Sequence, residues 1–534
     1  MSAAALAREI AAVGAAAGVG LLLAPLPRFV PPPLRRAAAL AVLLVSWAVL
    51  AGSLIPSEDA SSAVERLSSP AAAAVAALGV AVAAALAVLL MRLVLSRTWV
   101  WFLLLGLALP VRFPITLGSQ SANLLVPLYV VILVGLAAWV WGRVRGRLDA
   151  DGEAPSALDL PIAAFVCFSL VSTLWSADST EAAVKAVFFY VPFVLLYRLV
   201  LAWWRRADAL RLLVATTVGM AVPVAVLALG QYATRTIFWN DRLEQANIYS
   251  RFFRVNAIFY DPNILGRYLV LAILAAIAVS WAARRPATAA LALGAAAVCA
   301  AGLVVTFSRS SALGLMVALT LMAARAFGWR PVLAVGGSLA VLLSAGVIAA
   351  STNVRRAVTS TERLERVSEG RFDLVRGGLE IWADEPVLGT GLGAFAVRYR
   401  EELTPAEQRR ARVFISHNAP VTVLTEVGLV GFALFVALGA ATVVALRRSA
   451  GPVGPARALA AAGTPDAAGW GAWTALALLA AIFVHSLLYS ALFEDPYTWV
   501  VTAAGIALGG VVRARSPHPA PAPARAPDQP AQVA

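Results

Sequence analysis

The sequence predicts an all-α, polytopic integral membrane protein of about 14 (13–15) transmembrane helices. Three observations carry that prediction. First, 61% of the 534 residues are apolar, 13% are charged, and the mean hydropathy is +0.81; a soluble domain is about half apolar and about a quarter charged. Second, the apolar residues fall in runs of roughly the 20 residues that cross a hydrocarbon core, whereas barrel strands would alternate and be about half as long. Third, arginines recur beside alternate ends of those runs, as the positive-inside rule requires.

The runs lie at 34–54, 70–92, 98–110, 123–142, 159–175, 180–201, 208–230, 262–283, 287–306, 311–326, 331–350, 419–446, 471–491 and 497–512. A weaker run at 9–26 is a fifteenth span, a signal-like segment or an interfacial helix. The run at 98–110 is short and ends at Pro110, so it tilts or breaks. Arg35, Arg36, Arg143, Arg145, Arg205, Arg206, Arg284, Arg285, Arg447 and Arg448 mark the cytoplasmic side. The same topology explains a net charge of +14 without nucleic acid. Lys185 is the one lysine among 43 basic residues, so arginine is the chain's general-purpose cation.

This alternation places 55–69, 111–122, 176–179, 231–261, 307–310, 351–418 and 492–496 outside. The chain then divides into 1–119 (N-terminal spans), 120–350 (core bundle with outer loop 231–261), 351–418 (large extracytoplasmic loop with short helices), 419–515 (C-terminal spans) and 516–534, a Pro/Ala-rich cytoplasmic tail expected to be disordered. Cys167 and Cys299 lie in apolar runs and build neither a disulfide frame nor a zinc motif. No P-loop, GxGxxG or CxxC occurs, so any energy for chemistry arrives with the substrate.

Polar residues that spanning does not explain gather in the outer loops. Arg254 precedes Asp261-Pro262-Asn263, where Asp261 suits an N-cap and Pro262 the first turn of a helix. A guanidinium beside a helix N-terminus also suits a phosphate. Arg309 sits among Ser308, Ser310 and Ser311, either snorkelling to the interface or lining a polar cavity. In the large loop, Arg371, Arg376 and Trp382 lie in a segment of helical composition ending near Pro386, followed by Gly389, Gly391 and Gly393. His417-Asn418 stands where that loop re-enters the membrane, with Gly428 and Gly431 beyond. Of the three histidines, His485 is inside a run and His518 in the tail, so His417 is the candidate general base. Asp495 either orients an imidazole or a sugar hydroxyl or caps the last span. Lys185 either binds phosphate or pairs with Glu181 one turn earlier.

In order and spacing these clusters resemble the bacterial O-antigen ligase and O-antigen polymerase superfamily. The pattern His-[Asn/Ser/Gln]-x9-Gly-x-x-Gly matches His417, Asn418, Gly428 and Gly431, and Arg-x3-Leu matches Arg309 and Leu313. Arg254 with Pro262-Asn263-Ile264, Arg371…Trp382…Pro386…Gly389-x-Gly391, and Trp175-Ser176-Ala-Asp178 complete the set. The resemblance covers about 120–500 and leaves the earliest spans unassigned.

It implies a GT-C type glycosyltransferase that takes a glycan from a polyprenyl-diphosphate donor. The acceptor is a saccharide, a lipid or the cell wall, and the reaction lies at the outer face of the bacterial cytoplasmic (inner) membrane. His417 would take the acceptor's proton; Arg254 and Arg371, then Arg309, would hold the diphosphate; Asn418, Asp495, Lys185 and Arg376 are accessory candidates. No carboxylate pair has metal-ligand spacing, so neither metal nor cofactor is expected. The motifs leave polymerase, ligase and protein glycosylation open. The alternative class, a transporter or flippase for lipid-linked glycans, predicts ionisable residues at mid-membrane and broken paired helices rather than polar groups collected at one face.

Overall fold

A computed structural model describes residues 3–24, 32–55, 69–117, 120–146, 156–204, 208–238, 240–250, 252–334, 371–405, 408, 416–450, 467–489 and 491–515. Of residues 3, 32–35, 113–124, 371–372, 467–468 and 510–515 it describes the backbone alone. Most of the expected span 331–350, the first part of the large loop, most of the linker at 449–469 and the tail 516–534 lie outside the described residues.

The protein is a polytopic membrane protein built almost entirely of helices. Among the described residues ten helices are long and apolar enough to cross a membrane, and three apolar helices are shorter. In chain order the helices are α1 (Ala3–Leu23), α2 (Pro32–Gly52), α3 (Pro70–Ser96), α4 (Trp99–Ala108), α5 (Val126–Val144), α6 (Asp159–Val171), α7 (Ser179–Trp203), α8 (Ala209–Thr234), α9 (Asp241–Tyr249), α10 (Pro262–Ala282), α11 (Pro286–Val304) and α12 (Arg309–Phe327). After them come α13 (Arg371–Asp384), α14 (Phe395–Glu402), α15 (Ala419–Ala450), α16 (Ala467–Ser486) and α17 (Pro496–Arg515).

Two features depart from the plain span pattern. The run at 98–110 yields α4, ten residues long; at 1.5 Å per residue that is about half a hydrocarbon core. An antiparallel pair, β1 (Phe113–Leu117) and β2 (Gln120–Leu124), follows it, with Phe113 opposite Leu124 and Leu117 opposite Gln120. Pro110 and Pro114 forbid a continued helix there, and Ile115 and Thr116 favour extended backbone.

The N-terminal spans are part of the bundle. Helices α1 and α2 pair with each other, and α1 packs on α6. Arg8 of α1 reaches Thr180 Oγ1 at 2.8 Å and the Ser53 carbonyl at 2.9 Å, tying the hairpin to the start of α7. Helix α7 contains a π turn over Ala186–Tyr190. Pro192 explains it: it has no N–H to give the Phe188 carbonyl four residues back. The Tyr129 hydroxyl donates to Phe188 O instead (2.9 Å), and Trp47 Nε1 donates to Val187 O (2.8 Å). The carbonyls released by the turn thus bind α2 and α5 to α7. The rest of the bundle is built by α10 on α11, α12 on α16, and α17 on α7, α15 and α16.

Candidate active site at one end of the bundle

The loop after α9 is held as a shaped segment. Asn247 accepts the Arg254 N–H at 3.0 Å and donates to the Arg254 carbonyl at 2.9 Å. Asp261 caps α10 by accepting the Asn263 N–H at 2.6 Å, with Pro262 at the first helical position, as the sequence predicts. The Arg254 side chain then crosses to the α11–α12 turn. Its Nε donates to the Thr306 carbonyl (3.1 Å) and its Nη2 to Asn263 Oδ1 (3.0 Å). Ser308, which caps α12 through the Ser311 N–H, places Oγ 2.9 Å from the same Asn263 Oδ1. Asn263 is therefore where the first two motifs meet. Arg309, next to Ser308, is exposed at the first turn of α12.

The histidine motif arrives from the far end of the chain. His417 is half-buried, and Asn418 Oδ1 accepts the Val421 N–H at the start of α15. Asn418 Nδ2 donates to the Leu487 carbonyl (3.1 Å), fixing α15 to the end of α16. There Tyr489 lies between two histidines, with ring centroids 6.1 Å from His417 and 5.5 Å from His485. His485 is buried and its Nε2 is 3.2 Å from the Asn263 carbonyl; a carbonyl only accepts, so the proton sits on Nε2 in this contact. The chain Arg254–Asn263–His485–Tyr489–His417 joins the arginine and histidine motifs.

Below Tyr489 is a buried ion pair, Arg267 Nε to Asp495 Oδ2 at 2.7 Å. Arg267 Nη1 also donates to the Ala491 carbonyl (2.8 Å), and its guanidinium stands 5.9 Å from the Tyr489 ring centre. Asp495 Oδ1 accepts the Tyr497 N–H at 2.9 Å, so Asp495 caps α17 while it holds Arg267. Three of the residues at this centre, Arg267, His485 and Tyr489, are absent from the sequence-level candidates. Arg267 carried a usable signal, a charge five residues inside an apolar helix. His485 is in the last turn of α16, which ends at Ser486, so its position in a run concealed a place at the site.

Backbone strain collects in the same loops. Four non-glycine residues among those described have positive φ: Arg235 (57°), Ala257 (48°), Phe307 (50°) and His417 (52°). Left-handed backbone at such residues is uncommon and concentrates at functional sites.

The glycine motifs form a junction beside this centre. Helix α15 is interrupted at Gly428 (φ 60°, ψ −167°). The segment after α13 fills the gap. Thr390 N–H donates to Thr425 O (3.0 Å), Gly391 N–H to Glu426 O (2.8 Å), and Leu429 N–H to Pro386 O (2.9 Å). On its other side the segment meets the turn between α6 and α7, where Ala177 N–H donates to Thr390 O (3.2 Å) and Ser176 Oγ to Leu392 O (2.7 Å). The Trp-Ser-x-Asp, Gly-x-Gly and second-glycine motifs thus close on one another through backbone.

Lys185 does not pair with Glu181. Its Nζ contacts both carboxylate oxygens of Glu426, at 2.8 and 2.9 Å, because the break in α15 turns Glu426 toward α7. Glu494 faces the same pair, and burial pushes its carboxyl up against the pull of Lys185. Removing one partner of a buried pair strands the other charge, at about 3–5 kcal/mol. Glu426→Ala should therefore lower the unfolding temperature of detergent-solubilised protein sharply, and the double change Lys185→Met, Glu426→Leu should recover most of the loss.

Arg371 opens α13, with its side chain outside the described residues. Arg376 is exposed and pairs with Glu380 at 2.9 Å one turn on. The opposite face of α13 packs Leu374 and Ile381 on Phe395 and Tyr399 of α14. Among the described residues no group of His, Cys, Asp and Glu is arranged to hold a metal ion. A cavity of about 920 Å³ runs between α8, α10, α11, α16 and α17, from Leu109 and Tyr497 to Asp208, Arg211 and Trp470. Its wall is almost entirely hydrocarbon, with Leu213, Leu271, Leu478 and Val500 contributing.

Residues 294–436 match the family model described as O-antigen ligase. That stretch holds Arg309, Arg371, Arg376, His417, Asn418, Gly428 and Gly431; Lys185 and Arg254 precede it, and Asp495 follows it. A search of curated proteins finds no match. The O-antigen ligase match, within a multi-pass membrane protein, supports the O-antigen ligase and polymerase superfamily that the motifs resemble.

Proposed function

We propose that the protein is a membrane glycosyltransferase. It moves a glycan from a polyprenyl-diphosphate carrier to an acceptor hydroxyl at the outer face of the cytoplasmic membrane. The observation that carries this reading is the convergence of Arg254 and His417, 163 residues apart in sequence, through Asn263, His485 and Tyr489.

In the proposed reaction the acceptor oxygen attacks the anomeric carbon as the bond from that carbon to the phosphate oxygen breaks, inverting the configuration. The acceptor's proton passes to the His417 imidazole, which must lie about 3 Å from the attacking oxygen. The electron pair leaves with the diphosphate, whose growing charge Arg254 stabilises, with Arg371 and Arg309 beside it. Asn418 fixes the turn that carries His417, and Asp495 fixes Arg267 beneath it. Arg376, exposed on α13, is a contact for the acceptor or the membrane surface rather than for the diphosphate. The reaction needs no divalent metal in this scheme, so EDTA should leave turnover by purified protein intact; complete loss would count against it.

The decisive experiment is the lipid-linked glycan profile of cells that carry the His417→Ala form alone. A single repeat unit accumulating on the carrier identifies a polymerase. Full-length polymer accumulating there identifies a ligase. An unchanged profile, with the variant present and folded, refutes the transferase reading.

A further inference from the structure

Arg112 stands outside both the matched domain and the motifs. It lies between α4 and β1, and its Nε is buried without a hydrogen-bond partner. Its surroundings are charged. Asp495, Arg267, Tyr489 and Tyr497 all act on it electrostatically. Asp495 is already committed, one oxygen to Arg267 at 2.7 Å and the other to the Tyr497 N–H at 2.9 Å. Two guanidinium groups therefore share one carboxylate, and among the described residues no hydrogen bond or ion pair reaches Arg112. The residue as a whole is half-buried: Nε is enclosed, whereas Nη1 and Nη2 are not. The Tyr497 hydroxyl beside it is likewise buried with no partner. Burial lowers the proton affinity of Arg112, but an arginine remains charged.

The apolar cavity lies close by, although Arg112 is not part of its wall. Leu109, three residues before Arg112, and Tyr497 line its near end, and hydrocarbon side chains line its length. A cation that shares its carboxylate with a second arginine, close to a cavity that repels water, suits an anion carrying a long hydrocarbon chain. We propose that Arg112 is a substrate-binding residue that contacts a phosphate oxygen of an isoprenyl diphosphate whose chain lies in this cavity. The inference rests on the glycan-transfer reading and names a binding residue that reading does not use. Arg112, with Arg267 beside it, would then contact the phosphate from the side of α4 and α10.

The test is binding of geranylgeranyl diphosphate to purified protein. Wild type should bind it far more tightly than inorganic pyrophosphate, which lacks the chain. Arg112→Gln should weaken binding by about tenfold or more, and Arg112→Lys should recover part of it. Without ligand, Arg112→Gln should unfold at or above the wild-type temperature, because it leaves Asp495 to Arg267 alone.

Equal binding by wild type and Arg112→Gln overturns the role of Arg112 and leaves the transferase reading intact. No binding by wild type overturns the inference and the donor assignment together. Pyrophosphate as tight as the isoprenyl compound, or phosphatidylglycerol equally effective, overturns the assignment of the cavity. An unligated Arg112→Gln protein less stable than wild type assigns Arg112 to the fold and overturns the proposal.

Discussion

Gly391→Ala should leave little folded protein after extraction into detergent. At φ 92° Gly391 occupies backbone that a side chain disfavours, by roughly 1–2 kcal/mol. The added methyl would also fall 2.2 Å from Ser176 Cα and 2.6 Å from Ser176 N. Backbone cannot swing aside as a flexible side chain does, and overpacking adds about 1–3 kcal/mol. The combined loss of about 2–5 kcal/mol is large beside the 5–15 kcal/mol that stabilises a typical protein. Gly439→Ala is the control: it lies in the helical part of α15 with nothing within 4 Å of the new methyl. That change should be neutral or stabilising by up to about 1 kcal/mol. Heating the two variants and measuring the monodisperse fraction that survives separates them; equal survival would mean that the glycine junction yields.

Arg254→Ala should lower transfer by about 10²- to 10³-fold, the usual effect of deleting one donor to a developing oxyanion. The fold should tolerate the change better than the chemistry does. Arg254 bridges two loops through Thr306 and Asn263, whereas Asn263 keeps Ser308 and His485 as partners. Lysine should not restore the rate, since a single ammonium cannot contact Thr306, Asn263 and a phosphate with one fork of donors. Turnover of a purified lipid-linked donor, normalised to folded protein, measures the effect. Near-wild-type turnover by the alanine variant would reduce Arg254 to a loop strut.

The fold was legible because lipid imposes a coarse code. Apolar length marked the spans, and Asp261-Pro262 marked the start of α10 to the residue. The run at 98–110, read as one that tilts or breaks at Pro110, forms the ten-residue α4. At the site, one-dimensional order placed Arg254 and His417 in loops, and Arg309, expected in a short turn, opens α12. It did not reveal Arg267 or Tyr489, whose proximity to His417 depends on α10 and α16 packing together. Lys185 shows the same limit. Glu181, one turn away, was the local choice, but Glu426 lies 241 residues on and becomes adjacent through the break at Gly428.

That break also sets an order of manufacture. The junction joins 172–178, 389–393 and 425–430. A ribosome adding about 5–20 residues per second leaves the first of these pieces waiting on the order of ten seconds or more for the last. Until α15 leaves the translocon, Gly391 has no Glu426 carbonyl to bind. The segment after α13 therefore seats late, after the helices around Arg254 have been made, and a chain stalled before Thr425 would lack the junction. The glycines of this junction act as the clasp of a nearly finished product.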